Sequence, residues 1–224
     1  MEPIEYKKGY KNFLGCKIDL RFRPFIPRKE TEFWVKKVIK NNLSRAKSRE
    51  KFVCLDIFSG SGCIGIAILK YIENSQVVFA EIDKSLIKQI KLNLKINKVS
   101  VNKYKIIQSD IFEKIKGRFD YIFANPPYVP LRNKHIVQQS VLNYEPLNAV
   151  FSGEDGLLLI RKFLKDARKY LKKNGKIYME FDHLQKRELE KLLEKLNYKN
   201  YKICKDQFEK YRWLIAKYFF LNYY

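Results

Sequence analysis

The sequence predicts an α/β fold built on a mostly parallel, doubly wound sheet, and three observations carry that expectation. Short apolar runs alternate with amphipathic stretches of about ten to fifteen residues, the pattern of successive βα units. Acidic or amide residues, Asp56, Glu81, Asp110 and Asn125, fall at or just past the ends of successive apolar runs, where such sheets collect their ligands. A chain of 224 residues with 46% hydrophobic content can bury one substantial core, so a single α/β body is expected.

Taken in order, helical spacing begins near Glu30 with Phe33, Trp34 and Val38. A charged spacer, Lys47-Ser48-Arg49-Glu50-Lys51, precedes the first strand, Phe52 to Ile57. Gly60-Ser61-Gly62 then turns into an apolar helix running to Ile72, and Val77 to Ile82 reads as the second strand. Lys84 to Asn97 carries Leu86, Ile87, Ile90 and Leu94 at helical spacing, and Tyr104 to Gln108 is the third strand. The fourth, Phe119 to Ala124, must stop at Asn125-Pro126-Pro127-Tyr128, because each proline lacks an N–H and drives the residue before it out of the helical region. A polar connection from Val129 to Glu154 follows, of a length that usually marks a lid or binding loop. Gly156 to Lys173 reads as a helix with Leu157, Ile160, Leu164, Ala167 and Leu171 in one stripe, stopped at Gly175. Lys176 to Phe181 is the fifth strand. Asp182 caps a helix to Leu196, and Tyr198 to Tyr218 reads as two antiparallel strands.

The net charge of +22, from 46 Lys and Arg against 24 Asp and Glu, suits a polyanionic partner such as RNA or a ribonucleoprotein, although lysine is spread along the whole chain. Cys16, Cys54, Cys63 and Cys204 have no paired short spacing, and His135 and His183 stand apart, so reduced thiols and no metal are expected. Charged residues interrupt the first ten positions and no apolar run reaches membrane-spanning length, so the chain reads as cytoplasmic with no membrane contact.

The chemistry concentrates at the strand ends. Asn125-Pro126-Pro127-Tyr128 forms a rigid rim offering a carboxamide, backbone carbonyls and an aromatic face, which suits a planar NH2 group. Glu81, about twenty residues after the glycines of Asp56-Ile57-Phe58-Ser59-Gly60-Ser61-Gly62, stands where an acid can hold both hydroxyls of a ribose. The loop has neither the spacing nor the lysine of a phosphate-binding loop. With Asp56 before it, the loop suits a cationic nucleoside such as S-adenosylmethionine better than a pyrophosphate.

Six segments together make a specific resemblance: Ile26-Pro27-Arg28-Lys29-Glu30-Thr31-Glu32, Leu55 to Gly62, Gln108-Ser109-Asp110-Ile111-Phe112, Asn125 to Pro130, Tyr144-Glu145-Pro146, and Ser152 to Leu157. From about Phe22 onward the chain resembles the HemK-like release-factor glutamine methyltransferases. The resemblance implies a Rossmann-like class I S-adenosylmethionine-dependent methyltransferase with a seven-stranded, mostly parallel sheet and an antiparallel C-terminal hairpin. It implies that Asp56, Ile57, Phe58, Ser59 and Gly60 meet the methionine part of S-adenosylmethionine, Glu81 the ribose, and Asp110 with Ile111 the adenine. Asn125 would adjoin the cofactor and, with the carbonyl of Pro126, accept the two amide hydrogens of a glutamine while Pro127 and Tyr128 complete the substrate rim. The implied substrate is the Gly-Gly-Gln glutamine of a translation release factor; the basic charge, separately, suits a ribosome or RNA contact.

Two departures stand out. Relatives carry glycine where this chain has Phe58, so its ring is expected to point away from the cofactor. Relatives also place a helical domain ahead of the Pro-Arg segment. Here residues 1–28 read as a short extension with a β-hairpin and 29–224 as the catalytic domain. That difference keeps a second substrate in view, an exocyclic base amine such as adenine N6 or an rRNA base, which is also a planar NH2.

Overall fold

The computed structural model describes residues 1–43 and 51–217. The expected charged spacer lies outside the described residues except for Lys51, and so does Tyr218 at the end of the expected tail strands. A short helix α1 (Ile4–Lys8) leads into a hairpin, β1 (Tyr10–Phe13) paired antiparallel with β2 (Cys16–Asp19). Helix α2 (Lys29–Val38) continues through a wider turn at Ile39–Leu43. The body then alternates β3 (Phe52–Ile57), α3 (Cys63–Tyr71), β4 (Ser75–Glu81), α4 (Lys84–Ile96), β5 (Tyr104–Gln108) and β6 (Phe119–Ala124). After α5 (Gln139–Tyr144) and α6 (Leu158–Ala167) come β7 (Leu171–Glu180), α7 (Lys186–Lys195), β8 (Tyr201–Lys205) and β9 (Tyr211–Lys217).

The seven body strands form one sheet in the order β5-β4-β3-β6-β7-β9-β8. Only β9 runs against its neighbours; the pairs from β5 to β7 are parallel. This is the Rossmann-like arrangement with an antiparallel C-terminal hairpin that the alternation of elements predicts. The central strands are buried on both faces, which is why Cys54-Leu55-Asp56-Ile57 reads as a continuous buried run rather than an alternating one.

Each face of the sheet has its own core. On one, Trp34, Val35 and Val38 of α2, the hairpin residues Phe13, Cys16 and Ile18, helix α3, and Ile90 and Leu94 of α4 cover Phe79, Phe123 and Tyr178. Trp34 stacks between Phe123 and Trp213, at 6.4 and 6.1 Å between ring centroids, so α2 is clamped over the middle of the sheet. On the other face, Ile160, Phe163 and Leu164 of α6 and Leu189 and Leu193 of α7 cover Leu55, Ile122, Ile177 and Met179. The hairpin is stitched to the body through α4, whose buried Asn93 accepts from the Asp19 amide at 2.8 Å and donates to the Ser61 carbonyl at 2.9 Å.

Two local expectations need correction. The helix predicted over 156–173 occupies only Leu158–Ala167, followed by a single 3₁₀ turn, and Leu171 already opens β7. Gly175 therefore lies inside a strand rather than beyond a helix end. The pairing of β6 with β7 slips between Phe119 and Tyr121, and a β-carbon on Gly175 would stand 2.9 Å from the Lys172 carbonyl oxygen and 3.1 Å from that of Phe119. A strand irregularity this tight accepts only glycine. The connection after Tyr128 is a closed Ω-like loop containing α5 and two 3₁₀ turns. Its ends are tied at the base by Val129 N–H to Val150 O (2.9 Å), Ser152 N–H to Val129 O (3.0 Å) and Leu131 N–H to Gly153 O (2.9 Å).

Candidate active site

Strand order reverses between β3 and β6, and the crevice outside their carboxyl ends is where a doubly wound sheet binds ligands. A cavity of about 330 Å³ opens there, with Phe58, Gly60, Glu81, Asp110, Asn125 and Lys162 on its wall. These residues come from five separate segments: four follow or end neighbouring strands of one sheet, and Lys162 is brought in by α6. Ile57, Ser59, Ile111 and Pro127 also reach the wall; Asp56, Pro126 and Tyr128 are not among the residues that line it.

The loop between β3 and α3 turns on three left-handed residues, Phe58 (φ 58°), Gly60 (φ 53°) and Gly62 (φ 78°). Left-handed backbone is costly for a bulky side chain, which would account for the glycine expected from the resemblance where this chain has Phe58. The Phe58 ring packs edge-on against Phe163, with centroids 6.1 Å apart, and still forms part of the cavity wall, so it is only partly turned away. Glu81 braces the loop: Oε2 accepts from Gly60 N–H at 2.8 Å, and Oε1 accepts from Ile82 and Asp83 N–H at 2.9 and 3.1 Å. Two of the three N–H groups occupy Oε1, so it is Oε2 that retains acceptor capacity toward the cavity. Burial raises the Glu81 pKa while these three amides oppose the rise.

Asp56 is not the open carboxylate the loop sequence suggests. It is 1% exposed, and its Oδ2 accepts from Gly65 N–H in the first turn of α3 at 2.9 Å. Its Oδ1 is buried with no protein partner. Burial, with a smaller contribution from the nearby Glu81 charge, pushes the Asp56 carboxyl up to about 8.

Behind Asn125 lies a network that sequence reasoning missed. Asn125 Nδ2 donates to Thr31 Oγ1 at 3.2 Å, and Thr31 donates to Glu180 Oε2 at 2.7 Å. Trp34 Nε1–H donates to the same oxygen at 2.7 Å, and the Tyr128 hydroxyl donates to Oε1 at 3.0 Å. Glu180 is 1% exposed; burial raises its pKa, and the three donors favour the ionised form against that rise. Gln185 completes the support, its Nε2 donating to the carbonyls of Tyr128 (2.8 Å) and Asp155 (3.1 Å). One signal was available: a carboxylate ending the otherwise apolar strand Lys176 to Phe181 has to be paired if it is buried.

The Pro-Arg and Glu-Pro segments, distant in sequence, meet in space. Arg28 donates to Glu145 Oε1 at 2.5 Å, and the Ile26 amide donates to Oε2 at 3.0 Å. The Glu145 side chain is 1% exposed, so this pair anchors the Ω-like loop to the start of α2. Glu32 accepts from the Leu14 amide at 2.7 Å and so ties α2 to the hairpin.

The wall chemistry fits S-adenosylmethionine. Three carboxylates, Glu81, Asp83 and Asp110, face one lysine, Lys162, a balance that suits a cationic nucleoside and opposes a phosphate. Glu81 can accept from ribose hydroxyls, while Leu86, Ile111 and Leu159 supply apolar surface for a base.

A family model described as the methyltransferase small domain matches residues 36–144. The chain is 35% identical over 208 residues to a release factor glutamine methyltransferase of Flavobacterium psychrophilum, covering 92% of this chain and 72% of that protein. It is 33% identical over 217 residues to one of Lactococcus lactis, covering 96% and 77%. Among solved structures, the hMettl16 catalytic domain in complex with MAT2A 3'UTR hairpin 1 superimposes with a TM-score of 0.68 at 16% identity, covering 93% of this chain and 76% of that one; this likeness is one of fold, that of class I methyltransferases. One-third identity sustained along nine-tenths of the chain, on a methyltransferase fold, makes this protein a member of the release factor glutamine methyltransferase family.

Proposed function

We propose that the protein transfers a methyl group from S-adenosylmethionine to the side-chain amide nitrogen of the glutamine in the Gly-Gly-Gln motif of a translation release factor. The observation that carries this reading is that Glu81 and Asn125 share one cavity wall, a nucleoside-hydroxyl acceptor and an amide acceptor at the ends of the two strands that flank β3. Asp56, Ile57, Phe58, Ser59 and Gly60 form or brace the methionine side, Glu81 takes the ribose hydroxyls, and Asp110 with Ile111 flanks the adenine. S-adenosylmethionine supplies a methyl group activated by its sulfonium.

The remaining work falls to the rim. A carboxamide nitrogen is a poor nucleophile because its lone pair is delocalised into the carbonyl. Asn125 Oδ1 and the Pro126 carbonyl accept its two hydrogens, concentrate electron density on nitrogen and stabilise the positive charge that develops there. Pro127 and Tyr128 flank the amide, and the bond from Tyr128 to Glu180 fixes the ring. Holding the two reactants in register gains about 7–11 kcal/mol over a chance encounter. No side-chain nucleophile is needed, and the proton leaves to water.

We read residues 29–224 as the catalytic domain and 1–28 as an extension packed on it. The net charge of +22 suits a ribosomal or RNA contact, and the setting is read as cytoplasmic. Among the described residues no helix is long and apolar enough to cross a membrane.

The test is transfer of labelled methyl to purified release factor, to the same factor with its motif glutamine replaced, and to rRNA. Label on the unaltered factor alone supports the reading; label on RNA and never on the factor refutes it. Asn125→Ala should abolish transfer while S-adenosylmethionine affinity stays within about threefold, because the residue grips the acceptor and not the cofactor's ribose.

A further inference from the structure

Asparagine offers an oxygen and a nitrogen of nearly the same shape, so its neighbours decide which faces a ligand. At Asn125 that decision can be followed bond by bond. Glu180, as a carboxylate, only accepts. Trp34 Nε1–H, a donor with no acceptor capacity, occupies Oε2 at 2.7 Å and keeps that oxygen an acceptor. The single hydroxyl hydrogen of Thr31 goes to the same oxygen, also at 2.7 Å. Only lone pairs remain on Thr31 Oγ1 for the group that faces it at 3.2 Å, and that group must therefore be the Asn125 NH2. Among the described residues, Asn125 Oδ1 has no protein partner and lies on a residue that forms the cavity wall.

We propose that Thr31 and Glu180 act as a polarity relay that locks the Asn125 carboxamide with its oxygen toward the acceptor, so that the rim selects an NH2 donor and rejects a carbonyl. The inference rests on the reading of Asn125 as the acceptor-gripping residue. Thr31 and Glu180 are positioning residues that act through Asn125: Thr31 reaches the cavity wall but is only 2% exposed, and Glu180 does not line the cavity. The relay also accounts for asparagine rather than aspartate at this position. A carboxylate at 125 would have no hydrogen to give Thr31, whose own hydrogen is already held by Glu180, leaving two acceptors facing each other about 3 Å apart.

The test uses the full chain with Thr31→Val, which keeps the shape and removes the hydroxyl, Thr31→Ser, which keeps the hydroxyl, and Glu180→Gln, whose NH2 reverses the direction of the chain. Methyl transfer to purified release factor should fall about tenfold or more in kcat for Thr31→Val and Glu180→Gln, with KM changing less than about threefold. Thr31→Ser should restore kcat to within about threefold, and S-adenosylmethionine affinity, measured by calorimetry, should stay within about twofold throughout. Wild-type kcat in Thr31→Val overturns the relay. So does a Thr31→Ser variant as slow as Thr31→Val, or a kcat loss matched by loss of cofactor affinity, either of which marks a packing role.

A second readout needs no acceptor. The Asn125 side-chain NH2 resonances, assigned by their absence in Asn125→Ala, should lose their hydrogen-bonded shift in Thr31→Val and retain it in Thr31→Ser. Unchanged resonances in Thr31→Val overturn the relay. If the wild-type protein labels RNA instead of the release factor, the proposed function fails while these resonances still decide the relay.

Discussion

Gly156 is the position where one methyl group should cost the most. It stands at φ +74°, and a β-carbon there would be driven into the Tyr128 carbonyl oxygen while approaching Gln185 Nε2 at 2.5 Å and Pro130 N at 2.9 Å. One of these atoms is backbone of the substrate rim, one is backbone two residues beyond it, and the third belongs to the side chain that holds the rim. Gly156→Ala therefore adds about 1–2 kcal/mol for left-handed backbone, about 1–3 kcal/mol for overpacking and about 1 kcal/mol for the displaced bond from Gln185 to Tyr128. The sum is about 3–6 kcal/mol, against a total stability of about 5–15 kcal/mol for an ordinary domain, so the variant should still fold unless the wild type lies at the bottom of that range. With a urea slope near 3 kcal/mol/M, the midpoint should drop by about 1–2 M. The Tyr128 carbonyl has to move by about 1 Å, and a misplacement of that size costs on the order of 100-fold in rate. Gly117→Ala is the control, since Gly117 has φ +89° and nothing within 4 Å of its would-be β-carbon. Urea denaturation and labelled methyl transfer on the two variants separate the contributions. If Gly156→Ala matches Gly117→Ala in both, the close approach does not constrain the rim and the reasoning fails.

Three further outcomes follow from the same geometry. The Asp56 carboxyl, pushed up to about 8 by burial, binds a proton in the folded state between its ordinary value near 4 and 8 where the unfolded chain does not, so its contribution to stability is full below about 4 and is lost as pH rises to 8. The melting temperature of the wild type relative to Asp56→Asn should therefore decline across that window, and parallel pH profiles would contradict it. Arg28→Met leaves the buried Glu145 without its cation; a loss of about 2–4 kcal/mol and faster protease cleavage within residues 131–149 are expected, to be read by melting and timed proteolysis. Glu81→Gln brings an NH2 against a site already receiving three backbone N–H groups, so calorimetry with S-adenosylmethionine should register at least about tenfold weaker binding, and unchanged affinity would remove Glu81 from the site.

Much of the fold can be read from the chain because its signals are local. The apolar runs at Phe52 to Ile57 and Phe119 to Ala124 and the amphipathic helix read over 84–97, observed as Lys84–Ile96, follow from periodicity alone. The family was legible for the same reason, since the Pro-Arg, Asn-Pro-Pro-Tyr and Gly-Glu-Asp-Gly segments are contiguous. Misreadings occur where a long-range partner overrides a local pattern. Leu171 has helical spacing from Ala167 but pairs with Phe119 in the sheet, and Gly175 looks like a helix stop but relieves crowding against β6. Asp56 looks open to a ligand but turns into the first turn of α3.

The sequence by itself determined the order of strands and helices, the glycine loop, the rim prolines and the membership in a methyltransferase family, all properties of neighbouring residues. Only the tertiary structure decided which segments support one another: Thr31 and Trp34 from α2 with Tyr128 after β6 on Glu180 at the end of β7, and Arg28 on Glu145. The physical reason is that a buried charge must be matched by whatever donors the fold brings to it, and those donors come from residues as far as 149 positions away, a pairing that no local pattern encodes.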